Sequence, residues 1–136
     1  MKVKKNTHVG IAVNKIEDGL ELYRDFLGLE VTEIKDVPER SLRVAFIPNG
    51  DSEIELLEPT SSETPIGKFL AKNGPGLHHL AFTVDNIDAA LKEAEEAGFE
   101  IIDKTPRPGA HGGRIAFLHP KTFGGVLLEL CESCDH

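Results

Sequence analysis

Tryptophan is absent from the 136 residues, tyrosine and methionine occur once each, and cysteine only twice. Seven phenylalanines make up nearly all the aromatic stock, so no obvious platform for stacking nucleic-acid bases is present. No apolar run approaches ~20 residues, and no membrane span is expected. The basic start MKVKKNTHVGIAV leads into only a short apolar stretch, Val9 to Val13, with no small-residue cleavage site after it. A secretory signal is therefore not expected, and a cytoplasmic protein is. Cations are in deficit: 15 Lys and Arg against 23 Asp and Glu leave a net charge of −8. That sign argues against general nucleic-acid binding, but not against a small anion met by a few local cations. The two cysteines, Cys131 and Cys134 in LCESCDH, lack a second pair and do not open a helix after a strand. Their CxxC is read as part of a frayed tail rather than as a redox or zinc motif.

What the chain does have is enough apolar residue, 40% against 28% charged, to fill the core of one domain. It also repeats itself. THVGIAVNKI (Thr7 to Ile16) matches HHLAFTVDNI (His78 to Ile87) at an offset of 71, which pairs His8 with His79. The same offset pairs RVAF (Arg43 to Phe46) with RIAF (Arg114 to Phe117). ELLE (Glu55 to Glu58) answers ELCE (Glu129 to Glu132) at an offset of 74. Alternating strands resemble one another by chance, but matched histidines, arginines and glutamates in the same order point to a duplication.

Each half reads as strand, helix, strand, strand, strand. In the first, HVGIAV alternates as a strand, and Ile16, Leu20, Tyr23 and Leu27 recur at helical spacing up to Gly28. LEVTEI, LRVAFIPNG and SEIELLEP follow as strands, with Asn49-Gly50 turning the last two. In the second, Asn86 or Asp88 caps a helix ending at Gly98, and FEIID, GRIAFLHP and GVLLELC are the strands. The linker holds a short helix from Pro65 to Lys72. The expectation is an α+β fold in one domain spanning residues 1–136. Its modules cover about 6–60 and 76–132, a linker covers 61–75, and a tail 133–136. The two βαβββ modules are expected to form a curved, open mixed sheet around a metal site.

Strand alternation decides which of the adjacent histidines His78 and His79 faces that site. His79 is the repeat partner of His8, so His79 points inward and His78 outward. If the two halves join, His8, His79, Glu55 and Glu129 converge from opposite walls. Two imidazoles and two carboxylates suit a divalent transition metal, and the two negative charges balance it. Cobalt, manganese, nickel, iron and zinc all accept such a set.

The stretches THVGIAV, IELLEP, TPIGKFLAKNGPGLHHLAF and PRPGAHGGRIAFLHPKTFGGVLLEL resemble the vicinal-oxygen-chelate superfamily of paired βαβββ modules, across nearly the whole chain. Within it the chain is most similar to the methylmalonyl-CoA epimerases. The resemblance implies a divalent metal, often cobalt, on His8, Glu55, His79 and Glu129. It also implies a CoA-thioester substrate, a homodimer, and metal-assisted proton transfer at the carbon alpha to the thioester. Some members carry Gln at the Glu55 position and a separate glutamate on the neighbouring strand; that glutamate falls on Val44 here. Glu129 is then the first catalytic base and Glu55 the second, with Glu39 or a bound water as the alternatives. Lys68, Lys72, Arg107, Arg114 and Lys121 are candidates to meet the phosphates or the free carboxylate. Arg114 and Lys121 rank highest because they flank the glycine-rich GAHGG stretch. His111 and His119 are read as outside the metal shell. A glyoxalase would use the same four ligands. An extradiol-type dioxygenase needs only one carboxylate, and a metal-free ligand-sequestering protein of the same fold has no need of the set.

Overall fold

The computed structural model describes residues 1, 3–109, 112–122 and 125–132, and of Asn6 and Thr122 only the backbone. The chain divides into two units, Val9–His78, and Met1–His8 together with His79–His136. Strand β1 (Val3–Ala12) runs from one into the other.

In the Val9–His78 unit the strands stand in the order β2-β3-β4-β1, with β2 Glu33–Val37, β3 Leu42–Asn49 and β4 Ser52–Pro59. The first three are antiparallel and β4 runs parallel to β1, placing Gly10 opposite Glu55. The Asn49-Gly50 turn forms as expected: Asn49 faces Ser52 across the hairpin, and Gly50 takes the left-handed φ of +67° that the turn requires. The expected helix from Ile16 to Leu27 is α-helical only over α1 (Ile16–Leu20). Glu21–Phe26 continue in a wider turn, with Leu27 N–H donating to the Leu22 carbonyl at 2.9 Å. The extra residue per turn carries Leu27 out to 52% exposure, and Tyr23, Leu29 and Val31 complete the cluster around Ile16, Leu20, Ala45 and Leu56. The strand expected over LEVTEI consequently starts late, since Leu29 and Val31 serve the core before the ladder begins at Glu33. Helix α2 (Pro65–Asn73) closes the unit, its first turn capped by the Thr64 hydroxyl.

In the other unit the order is β1-β5-β8-β7-β6, from β5 (Gly76–Val84), β6 (Arg107–Pro108), β7 (Arg114–Leu118) and β8 (Leu127–Glu132). Helix α3 (Ile87–Glu96) lies on one face, with Ile87, Ala90, Leu91 and Ala94 buried against Leu118 and Leu130. Asn86, not Asp88, caps it, accepting from Ala89 N–H at 3.0 Å. The expected strand FEIID is absent as a ladder; only Ile101 bridges to Leu118. The N–H groups of Ile102 and Asp103 both donate to the single carbonyl of Phe117, and the Asp103 carboxylate accepts Phe117 N–H at 2.8 Å. Two donors on one acceptor turn the chain instead of extending it, and the ladder with β7 resumes only at Arg107 and Pro108 of β6.

The duplication is visible as a repeated device. Glu58 accepts the backbone N–H of Ile16 at 2.8 Å, and Glu132 accepts that of Ile87 at 2.8 Å. Arg43 pairs with Glu58 and Arg114 with Glu132. Each unit thus ties the end of its last strand to the start of its helix by a carboxylate with an arginine partner. The tail expectation for the cysteines is corrected in part. Cys131 is buried at 1% exposure inside β8, opposite Ile115, because the ladder runs on to Glu132; Cys134 lies outside the described residues. Among the described residues no helix is long and apolar enough to cross a membrane.

Candidate metal centre

Alternation along three strands brings three acidic or basic side chains to one point. His8 comes from β1, His79 from β5 and Glu129 from β8, and all belong to the same unit. They are 4%, 3% and 3% exposed, respectively. The two imidazoles meet edge to face, centroids 5.1 Å apart, with their Nε2 atoms separated by 3.0 Å. Glu129 straddles them: its Oε2 is 3.5 Å from His8 Nε2 and its Oε1 3.5 Å from His79 Nε2. The candidate ligand atoms all lie within 4.8 Å of one another.

This donor set fits a divalent ion. Imidazole nitrogens at ~2.1 Å from one ion and at right angles stand about 3.0 Å apart, as these do. An ion at that point would also balance a carboxylate withdrawn from water, whose burial alone is costly. His78 turns the other way and stacks edge-on against Phe69 of α2 at 5.0 Å, as alternation requires. Phe117 of β7, in register with Glu129, stands edge-on to His79 at 5.6 Å. The buried hydroxyls of Thr7 on β1 and Thr83 on β5 hydrogen-bond to one another. Phe117 was not legible as a neighbour of His79, because cross-strand register is not written in local sequence.

Glu55 lies in the Val9–His78 unit, 5% exposed and opposite Gly10. Val44 is buried at 1% on β3. Lys68 and Lys72 of α2 are exposed, as is Lys121 in the turn Pro120–Thr122. Arg114 has carboxylate partners: its Nη2 lies 2.9 Å from both Asp88 and Glu132. Those contacts raise its pKa further, Asp88 acting most and Glu132 next. Glu132 is held below the ordinary glutamate range, first by the Ile87 N–H and then by Arg114. His119 accepts Lys121 N–H at 3.0 Å and faces Glu100 at 3.4 Å, contacts of a turn and not of a metal shell. His111 lies outside the described residues.

Duplicated strand-and-helix units with a buried two-histidine, one-glutamate cluster define an α+β protein with a candidate metal centre. Residues 7–117 match the family described as the Glyoxalase/Bleomycin resistance protein/Dioxygenase superfamily, and the chain belongs to that superfamily. It is similar to the ethylmalonyl-CoA/methylmalonyl-CoA epimerase of Cereibacter sphaeroides, 42% identical over 90% of this chain and 93% of that protein. Among solved structures it is similar to a hypothetical protein of Bacillus halodurans, BH1468, at 44% identity and a TM-score of 0.93, covering 97% of this chain and 96% of that one. It is also similar to a variant of Streptomyces coelicolor methylmalonyl-CoA epimerase in complex with 2-nitronate-propionyl-CoA, at 36% identity and a TM-score of 0.89, covering 99% of each chain.

Proposed function

We propose that the protein is a metal-dependent methylmalonyl-CoA epimerase, a cytoplasmic homodimer in which residues 1–136 form one paired-module domain. The observation that carries this reading is the buried convergence of His8, His79 and Glu129. It is supported by similarity over nearly full length to epimerases of malonyl-type CoA thioesters, one of them solved with a CoA-thioester ligand.

Epimerisation at the carbon between a thioester and a carboxylate removes one C–H proton and returns it on the other face. Negative charge develops on the thioester oxygen in between. His8, His79, Glu129 and Glu55 would together hold a divalent ion, cobalt by preference and manganese, nickel or zinc as alternatives, whose chemistry is electrophilic stabilisation of that charge. Glu55 is assigned the fourth place on the repeat. It stands opposite Gly10, two residues beyond His8, as Glu129 stands opposite Ala81, two residues beyond His79. Both carboxylates are buried.

Glu129 takes the proton from one face of the substrate carbon, and Glu55 serves as the acid–base group on the other. Val44 carries no group that exchanges protons, which is why the second role passes to Glu55. The exposed ammonium groups of Lys68, Lys72 and Lys121 are assigned to the phosphates of CoA. Arg114 is better described as structural, since Asp88 and Glu132 already hold its guanidinium.

The test is a mass spectrum of methylmalonyl-CoA incubated in D2O with metal-loaded protein, chelated protein and no protein. Rapid metal-dependent gain of one deuteron is expected. A protein that binds metal but gives no gain above the blank overturns the epimerase reading and moves a glyoxalase to first place.

A further inference from the structure

The strands β5 to β8 carry two arginines, and they lie on opposite faces. Arg114 shares the face covered by α3, paired with Asp88 and Glu132. Arg107, on β6, is in register with Ile115, and its guanidinium carbon lies 5.6 Å from the centre of the Phe117 ring. Phe117 in turn is in register with Glu129 and stands 5.6 Å from the ring of His79. A single aromatic ring therefore has a metal-centre histidine at one side and a cation over its face.

The arginine is placed, not merely present. Its Nε is 3.6 Å from Asp103, and the other oxygen of Asp103 is pinned by the Phe117 N–H at 2.8 Å. A guanidinium braced at Nε and resting on a ring still presents its terminal nitrogens in a planar fork, which matches a carboxylate. The Arg107 side chain is 50% exposed, so a ligand can reach it. In a chain of net charge −8, an anionic ligand needs a local cation to be drawn to the site.

We propose that Arg107 receives the free carboxylate of the substrate at the metal centre, and so selects a thioester that carries this carboxylate over one that lacks it. The proposal rests on the epimerase reading and deepens it. The carboxylate is favoured over the CoA phosphates because Arg107 rests on the same Phe117 ring that stands against His79. In a CoA thioester the whole pantetheine arm separates the diphosphate from the reacting carbon.

The experiment measures binding of malonyl-CoA and of propionyl-CoA, which lacks the free carboxylate, by calorimetry. It uses metal-loaded wild type, Arg107→Gln and Arg107→Lys, with KM and kcat for methylmalonyl-CoA alongside. Arg107→Gln is expected to weaken malonyl-CoA about ten-fold or more while propionyl-CoA changes less than about two-fold. KM should rise with kcat nearly kept, the mark of a group that binds ground state and transition state alike. Arg107→Lys should fall between, keeping the charge and losing the fork. Equal weakening of both ligands overturns the proposal in favour of a phosphate contact, and unchanged binding of both overturns it outright. If wild type exchanges no substrate proton, the epimerase reading falls and this one with it; if wild type exchanges and Arg107→Gln behaves as wild type, only this one falls.

Discussion

Glu129 is the residue on which the proposed chemistry turns. Its two oxygens reach different histidines at the same 3.5 Å, so the carboxylate is oriented by both. It is also enclosed, at 3% exposure, so in the proposed reaction bulk water would not compete for the proton. Replacing it by Gln keeps the shape and one oxygen ligand but removes the basic site. Glu129→Gln should therefore retain bound metal, read by elemental analysis, while deuterium uptake into methylmalonyl-CoA falls by about 100-fold or more. Full exchange in that variant would remove Glu129 from the mechanism. At this scale the sequence was informative wherever alternation applied: His79 against His78 follows from parity with His8, and the buried cluster agrees. It was uninformative for the arginines. Arg114 and Arg107 sit at comparable distances from the glycine-rich stretch, and only the strand register separates a helix-side ion pair from a cation over Phe117.

The element that most repays attention is the junction of β8 with α3. Glu132 follows Glu129 by three residues on the strand and holds the first N–H of the helix. That N–H and Arg114 keep its carboxylate ionised below the ordinary range. A carboxylate whose folded pKa is lowered adds stability above its unfolded value of ~4.3, and that stability is lost as pH falls through the folded value. Glu132→Gln should accordingly lower stability by about 1 kcal/mol at neutral pH. In denaturant titrations the gap to wild type should shrink as the pH drops below about 4. A gap that stays constant down to pH 3 would assign the loss to packing instead of charge. The same scale shows where local patterning failed. FEIID has the apolar residues of a strand, but Ile102 and Asp103 both direct their hydrogen bonds to Phe117. Ile16 to Leu27 has helical spacing, yet the wider turn after Leu20 sends Leu27 to solvent.

For the whole molecule, the consequence of the centre is a link between distant parts of the chain. His8 and His79 are 71 residues apart, and Glu129 lies 50 beyond His79. An ion bound there holds β1, β5 and β8 together in the folded state and finds no such set in the unfolded one. At a metal concentration about 100 times its dissociation constant the link is worth ~2.7 kcal/mol. Chelation should therefore lower the melting temperature by roughly 5–10 °C for a chain of this size. Restoring cobalt or manganese should recover it, followed by differential scanning calorimetry. A melting temperature indifferent to chelator would mean that the three side chains hold no ion.

The sequence by itself determined the duplication, the α+β class and the inward histidines. These depend on the two-residue period of strands and on a repeat that any reader of the chain can align. The tertiary structure alone decided that His8, His79 and Glu129 meet with nitrogen atoms 3.0 Å apart. It alone decided that Arg114 serves a helix and Arg107 an aromatic ring beside the site, and that Cys131 is interior. Those outcomes depend on which residue stands opposite which across neighbouring strands. Register of that kind is set by packing among segments far apart in the chain, and local sequence does not encode it.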